Sequence, residues 1–241
     1  MRRAALVVGA FTLLGTGLAP SPAYADVLPE CSDKFTNLSG PDCQLTSTDS
    51  QGLRFEKRIM DTAAQIRVLD RDGMLVQTLD DHLDGSVDSG VMLLRDLDGD
   101  GRDEVLLSLD TGSAHPNSHW VLWRATEDST QLAVVPAPHL DDDTMHSPGA
   151  FFGVDFWHAG DGFIAEYGVG PMRSWLTRIY RFTGEELVPV VSVQNDGVKT
   201  DGSVPPCHLE KDYGLDRFGL SPEAARDRFC ANTEQHRDGG R

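Results

Sequence analysis

From residue 53 to about residue 193 the apolar positions fall in short runs, rich in β-branched and aromatic side chains. Each run stops at a cluster of Gly, Asp, Asn, Ser or Pro. Such runs bounded by turn residues predict strands. Residues 65–69 and 74–79 flank Asp70-Arg71-Asp72-Gly73, a hairpin turn. Residues 119–124 and 131–135 flank a polar turn, and residues 176–182 and 187–191 flank Thr183-Gly184-Glu185-Glu186. Upstream of the second and third hairpins lies another strand pair, residues 91–94 with 104–109 and residues 151–156 with 162–167. Leu122-Trp123-Arg124-Ala125-Thr126 and Ile179-Tyr180-Arg181-Phe182-Thr183 superpose in pattern about 57 residues apart, the size of a blade-like repeat. The predicted fold is all-β, an incomplete propeller-like assembly or twisted β-sandwich built from hairpin repeats. The chain is too short for a closed ring of many blades.

The flanks differ in character. Residues 1–25 carry Arg2 and Arg3, an apolar run, and the small-x-small site Ala23-Tyr24-Ala25, the pattern of a secretory signal peptide. Beyond it, nothing approaches the ~18 apolar residues of a membrane helix, so a soluble mature protein without a membrane anchor is expected. Residues 26–52 show no sustained period and read as a disulfide-pinned N-terminal segment; residues 53–196 form the β domain; residues 197–241 form a C-terminal disulfide and helix segment. In that last segment Ser221 is placed to cap a short helix, with Pro222 at its first position and Glu223 in its first turn. Cys230 would tether the helix end, with the residues up to Arg241 frayed.

Four cysteines in an exported chain predict two disulfides, for which three connectivities exist. Local pairing, Cys31 with Cys43 and Cys207 with Cys230, is the simplest, each bridge being worth about 3 kcal/mol by loop closure. Neither pair has the C-x2-C spacing that a zinc site favours. The formal charge is −17, and the leader contributes two arginines and no acid. A surface of that sign repels phosphate backbones and anionic lipids, which argues against a nucleic-acid partner. It favours solubility, or a basic exported protein as partner.

The segment with the clearest chemistry is Asp96-Leu97-Asp98-Gly99-Asp100-Gly101-Arg102-Asp103-Glu104, between two predicted strands. Ca2+ takes six to eight hard oxygen ligands, and carboxylates at alternate positions of a tight loop supply them from one side. Asp96, Asp98 and Asp100 occupy positions one, three and five, the carbonyl of Arg102 serves at seven, and Glu104 at nine. Gly101 is expected to be the residue that lets the chain reverse. An EF-hand would put glutamate at position twelve, where Leu107 stands inside a strand. With its strand flanks, this loop resembles the calcium loops of FG-GAP and VCBS-type repeats, found in integrin-like propellers and in many exported bacterial proteins. The resemblance covers residues 96–105 and the strand that follows, and it implies structural calcium held by Asp96, Asp98, Asp100 and Glu104. Family members mostly repeat the loop, whereas this chain carries it once, against a closed propeller.

A more distant similarity covers residues 96–196. The order of calcium loop, Leu107-Ser108-Leu109, Thr111-Gly112-Ser113, residues 120–124 and Tyr180-Arg181-Phe182 is similar to small periplasmic β proteins that act as lysozyme inhibitors or immunity proteins. It implies a binder of a lysozyme-like enzyme and transfers no site residue. The remaining motifs suggest no catalytic residue. Asp110-Thr111-Gly112-Ser113 imitates an aspartic protease signature, but that chemistry needs a second carboxylate, and Asp88-Ser89-Gly90 is too near in sequence to supply it. His139, Asp141, Asp142, Asp143 and His146 lack regular ligand spacing and read as a solvated acidic loop. Asp161 and Glu166 have no feature that sets them apart as a glycosidase pair. Trp120, Trp123, Phe156, Trp157, Tyr167 and Trp175 read as core. The expectation is a secreted, calcium-binding, non-enzymatic recognition module or inhibitor; a carbohydrate-binding module and a hydrolase with an unrecognised acidic site are the alternatives.

Overall fold

The computed structural model describes residues 27–32, 42–83, 90–110, 117–125, 130–140 and 149–239. The expected leader, residues 1–25, lies outside them, as do Asp141, Asp142, Asp143 and His146. The described residues form three antiparallel sheets and a C-terminal helix, with no closed barrel among them. Sheet A holds β1 (Cys43–Thr46), β2 (Arg54–Met60), β3 (Ala63–Leu69) and β4 (Leu75–His82) in chain order. Sheet B holds β5 (Met92–Arg95), β6 (Glu104–Ser108), β7 (Ser118–Ala125) and β8 (Leu132–Val135), with β9 (Phe151–Gly153) also paired to β7. Sheet C holds β10 (Asp155–His158), β11 (Phe163–Val169), β12 (Trp175–Thr183), β13 (Glu186–Asn195) and β14 (His208–Asp212), and is followed by α1 (Pro222–Gly239).

The sheets stack, and the alternation of side chains explains why. Along β6 and β7, Val105, Leu107, Val121 and Trp123 pack with Phe55, Ile66 and Val68 of sheet A. The intervening Leu106, Trp120 and Leu122 pack with Phe156, Ile164 and Tyr180 of sheet C. The central strands β6 and β7 are therefore buried on both faces, and their middles read as continuous apolar runs. The other face of sheet C, with Phe163, Ile179, Val191 and Val193, packs on Ala225 and Phe229 of α1. Gln77 joins sheets A and B: its amide nitrogen donates to the Leu132 carbonyl and its amide oxygen accepts the Leu132 N–H, both at 2.8 Å.

Four features differ from the sequence reading. The segment 26–52 contributes a strand, β1, and β2 follows at once, so a third sheet of four strands stands beside the two five-stranded ones. The inward positions of β2 are Phe55, Lys57 and Ile59, and the lysine breaks the apolar alternation that would have marked the strand. Residues 151–156 are two strands, with the chain leaving β7 for β11 at Val154, whose N–H donates to the Tyr167 carbonyl. β14 extends sheet C beyond residue 196. Finally, α1 is 18 residues long and Cys230 lies well inside it. Its second half is held by polar contacts with no hydropathy signal. Asn232 accepts the Trp157 indole N–H at 2.7 Å, the Thr233 hydroxyl donates to that of Thr177 at 3.2 Å, and His236 stacks on Trp157 with ring centroids 3.9 Å apart. The Ser221 hydroxyl caps the start of the helix by accepting the Ala224 N–H.

Two disulfides close, Cys31–Cys43 at a Cα separation of 4.9 Å and Cys207–Cys230 at 5.8 Å. The second ties the start of β14 to the helix. Among the described residues no helix is long and apolar enough to cross a membrane.

Lys57 is fully buried and donates to the Gly90 carbonyl, and burial pushes its amine down to about 8 against the attraction of Asp42. The unfolded chain then binds more protons than the folded one between about 8 and 10.5, so this group makes stability climb with pH across that window. Urea unfolding of the Lys57→Met variant is expected to show a stability gap to the parent that shifts in the parent's favour by up to about 3 kcal/mol from pH 8 to 10.5. A constant gap would mean that the amine is not desolvated.

Candidate metal centre

The acidic loop connects β5 to β6, and its register is set by the pairing of Arg95 with Glu104. Leu97 inside it is fully buried in the interface between sheets B and C, which anchors the loop from within. The carboxylates fold the backbone around themselves. Asp96 accepts the N–H of Gly99 at 2.8 Å through Oδ1 and that of Gly101 at 3.0 Å through Oδ2. Asp98 accepts the N–H of Asp100 at 3.1 Å, and Asp100 that of Arg102 at 2.9 Å. Glu104 accepts the Leu97 N–H at 2.7 Å.

Of the five residues expected to bind metal, three converge. One carboxylate oxygen from each of Asp96, Asp98 and Glu104 lies within 4.8 Å of the others, an all-oxygen set able to coordinate a divalent cation. Asp100 is not part of this trio, and it accepts from Arg124 Nη2 at 3.0 Å. Arg102 contributes its backbone N–H to Asp100. The same Arg124 nitrogen donates to Asp98 at 2.7 Å, and its Nε lies 3.7 Å from Glu104. The guanidinium in turn covers the Phe182 ring at 4.2 Å.

Electrostatics follow from this crowding. Glu104 is 1% exposed. Burial first, and then the neighbouring charges of Asp98 and Asp100, push its carboxyl up to about 9, with the Leu97 N–H and Arg124 opposing. Burial also raises Asp98, against the pull of Arg124. At neutral pH Glu104 therefore holds a proton at a place where a divalent cation can substitute for it.

The loop touches all three sheets. Asp103, beside the cluster, accepts the Thr48 N–H at 2.7 Å and the Thr48 hydroxyl at 3.2 Å, which ties it to the turn between β1 and β2. Arg124 ties it to β7. The His158 ring, from the end of β10, lies against Gly99 so closely that a Cβ there would overlap it. A steric demand for glycine falls on Gly99, at φ +76°; the space beside Gly101 is open, but its φ of +87° still calls for glycine where the chain reverses, as expected. Arg124, His158 and Thr48 escaped sequence reasoning because they lie on other elements. The faint signal was Arg124, a charge inside the apolar run of β7.

Other motifs resolve as structure. Asp110 accepts the His119 N–H at 2.9 Å and pairs with the His119 ring. Glu166 has a fully buried side chain that accepts from Arg178 and Tyr180. Asp161 is exposed and paired with Arg228 at 2.9 Å. Trp120, Trp123, Phe156, Trp157 and Trp175 are buried.

No protein-family model matches the chain, and no curated protein matches it. Among solved structures, the chain is similar to that of a Xanthomonas Type IV Secretion System related protein, at 12% identity with a TM-score of 0.43. The superposition covers 76% of this chain and 94% of the other. A likeness at that level carries no argument about fold or function.

Proposed function

We propose that this protein is an exported, non-enzymatic recognition module whose stacked sheets are locked by a structural calcium ion. The observation that carries the reading is the convergence of Asp96, Asp98 and Glu104 within 4.8 Å in a loop bonded to sheet A and packed against sheet C. All-oxygen ligation suits a hard cation, and a loop that also offers backbone carbonyls and a nearby fourth acid suits the irregular, six- to eight-coordinate geometry of calcium better than the stricter octahedron of magnesium. The resemblance to FG-GAP and VCBS-type loops supports the same ion, with Asp100 and the Arg102 carbonyl completing the set. The signal-peptide pattern of residues 1–25 supports export.

For the partner, the charge of −17 supports a basic exported protein, and the distant similarity to lysozyme inhibitors points to a wall-degrading enzyme. Complementary charge speeds encounter and makes the association rate fall with salt. The test is association of the calcium-loaded protein with a basic lysozyme, followed at rising salt beside a bacterial lysis assay. Slower association at higher salt and suppressed lysis are expected. No association at micromolar concentration would remove the lysozyme-like partner from the account.

A further inference from the structure

β11 and β12 run past the end of β10 through the pairs Gly168–Leu176 and Val169–Trp175, and there sheets B and C part to leave a cleft of about 360 Å3. Asn117 and Phe152 line it from the sheet B side, and Leu176, Arg178, Gln194 and Asp196 from the sheet C side. Asn117 fixes the two walls together: its amide nitrogen donates to the Val169 carbonyl at 2.7 Å and its oxygen accepts the Val169 N–H at 2.9 Å. Arg178 is held in place from behind. Its Nη1 donates at 3.2 Å to Glu166, which also accepts the Tyr180 hydroxyl at 2.7 Å, and the Arg178 side chain keeps 13% exposure. Gln194, directly across from Leu176 in the sheet register, donates to Asp196 at 3.0 Å.

A second feature marks the same place. The segment bordering the cleft between Gly170 and Ser174 contains two successive non-glycine residues in the left-handed region, Met172 at φ 53° and Arg173 at φ 63°. Such strain persists where the surroundings hold it, often at ligand sites. Here the contact with Gly197 and Val198 accommodates it. At φ +81° and without a Cβ, Gly197 leaves room for the Met172 carbonyl, which accepts the Val198 N–H at 2.8 Å.

The chemistry of the lining selects the ligand. Glu166 offsets the charge of Arg178, Asp196 stands at the same cleft, and the whole chain is strongly acidic, so an anion finds no net attraction. What is offered instead is the Gln194 amide, the Asp196 carboxylate, and apolar wall from Leu176 and Phe152. That combination matches a molecule with several neutral hydroxyls and one apolar face, and the volume lies in the range of small-ligand pockets. We propose that this cleft binds a neutral mono- or disaccharide. The site is separate from the metal loop and does not rest on it.

The test is saturation-transfer NMR with calorimetry on the full chain. The probes are glucose, N-acetylglucosamine, cellobiose and N,N′-diacetylchitobiose, with acetate and glycine as charged controls. At least one sugar is expected to bind with Kd of about 1 mM. Gln194→Ala and Leu176→Trp, the first removing a polar group and the second filling the cleft, are each expected to weaken binding about tenfold with the melting temperature unchanged. Absence of sugar binding at millimolar concentration, binding that survives both variants in folded protein, or binding of acetate in place of the sugars would overturn the proposal.

Discussion

Glu104→Gln is expected to stabilise the chelator-treated protein by roughly 3 kcal/mol at pH 7, and to abolish its response to calcium. The carboxyl is raised from an ordinary 4.5 to about 9 by burial beside Asp98, so the folded state binds the extra proton throughout that window. For a group raised on folding, its contribution is full below the unfolded value and is lost as pH rises through the folded one. Metal-free protein should therefore lose stability steadily from about pH 4.5 towards 9, and calcium should remove the loss by replacing the proton. Glutamine keeps the shape and can still accept the Leu97 N–H, but it has no proton to lose and no charge to offer a cation. Urea unfolding in chelator at pH 5, 7 and 8.5 checks this. A glutamine variant less stable than its parent at pH 7 would show that Glu104 is ionised without metal, contrary to the electrostatic picture.

Glu166→Leu is expected to cost about 3–5 kcal/mol, because it leaves the Arg178 guanidinium and the Tyr180 hydroxyl without their shared acceptor in the interface between sheets B and C. The same geometry bears on the hydrolase alternative. A carboxylate with no exposed side-chain surface, engaged on both oxygens, is not placed to protonate a substrate. Chemical denaturation measures the cost. A variant that unfolds like the parent while a glycan-hydrolysing activity disappears would assign Glu166 to catalysis and remove it from the structural role.

The sequence displayed those parts of the molecule in which neighbouring residues carry the information. The hairpins β3–β4, β7–β8 and β12–β13 were legible because apolar runs end at turn residues. The acidic loop was legible because its acids alternate within one short segment. What escaped depends on residues distant in the chain or on polar groups doing the work of apolar ones. β2 hid behind the buried Lys57, and the second half of α1 is fastened by Asn232, Thr233 and His236. Residues 151–156 read as one strand because both sheets bury their strands, and periodicity does not say which sheet. At the acidic loop, the turn chemistry of Asp96, Asp98 and Asp100 was visible. The diversion of Asp100 to Arg124 and the packing of His158 on Gly99 were not, since both partners come from other strands.

The helix end repeats this lesson in an ion network. Asp155 accepts from Arg95 Nη1 at 2.7 Å and contacts His236 at 2.9 Å, linking sheet B, sheet C and α1. Burial works to raise its carboxyl, but the His236 contact and the Arg95 charge prevail and hold it below the ordinary value. This link is strongest where Asp155 is ionised and is lost as pH falls through the lowered value.

The central claim, a calcium ion exchanged for a proton at a loop that joins three sheets, is tested most directly by calorimetric titration of chelator-treated protein with calcium at pH 7. The titration is repeated in two buffers of different ionisation enthalpy. The account predicts one ion bound per chain, with a buffer-dependent heat corresponding to release of about one proton. It also predicts a melting temperature that rises with calcium concentration as mass action requires. Folded protein that takes up no calcium at millimolar concentration, or that binds it without releasing a proton, would contradict it.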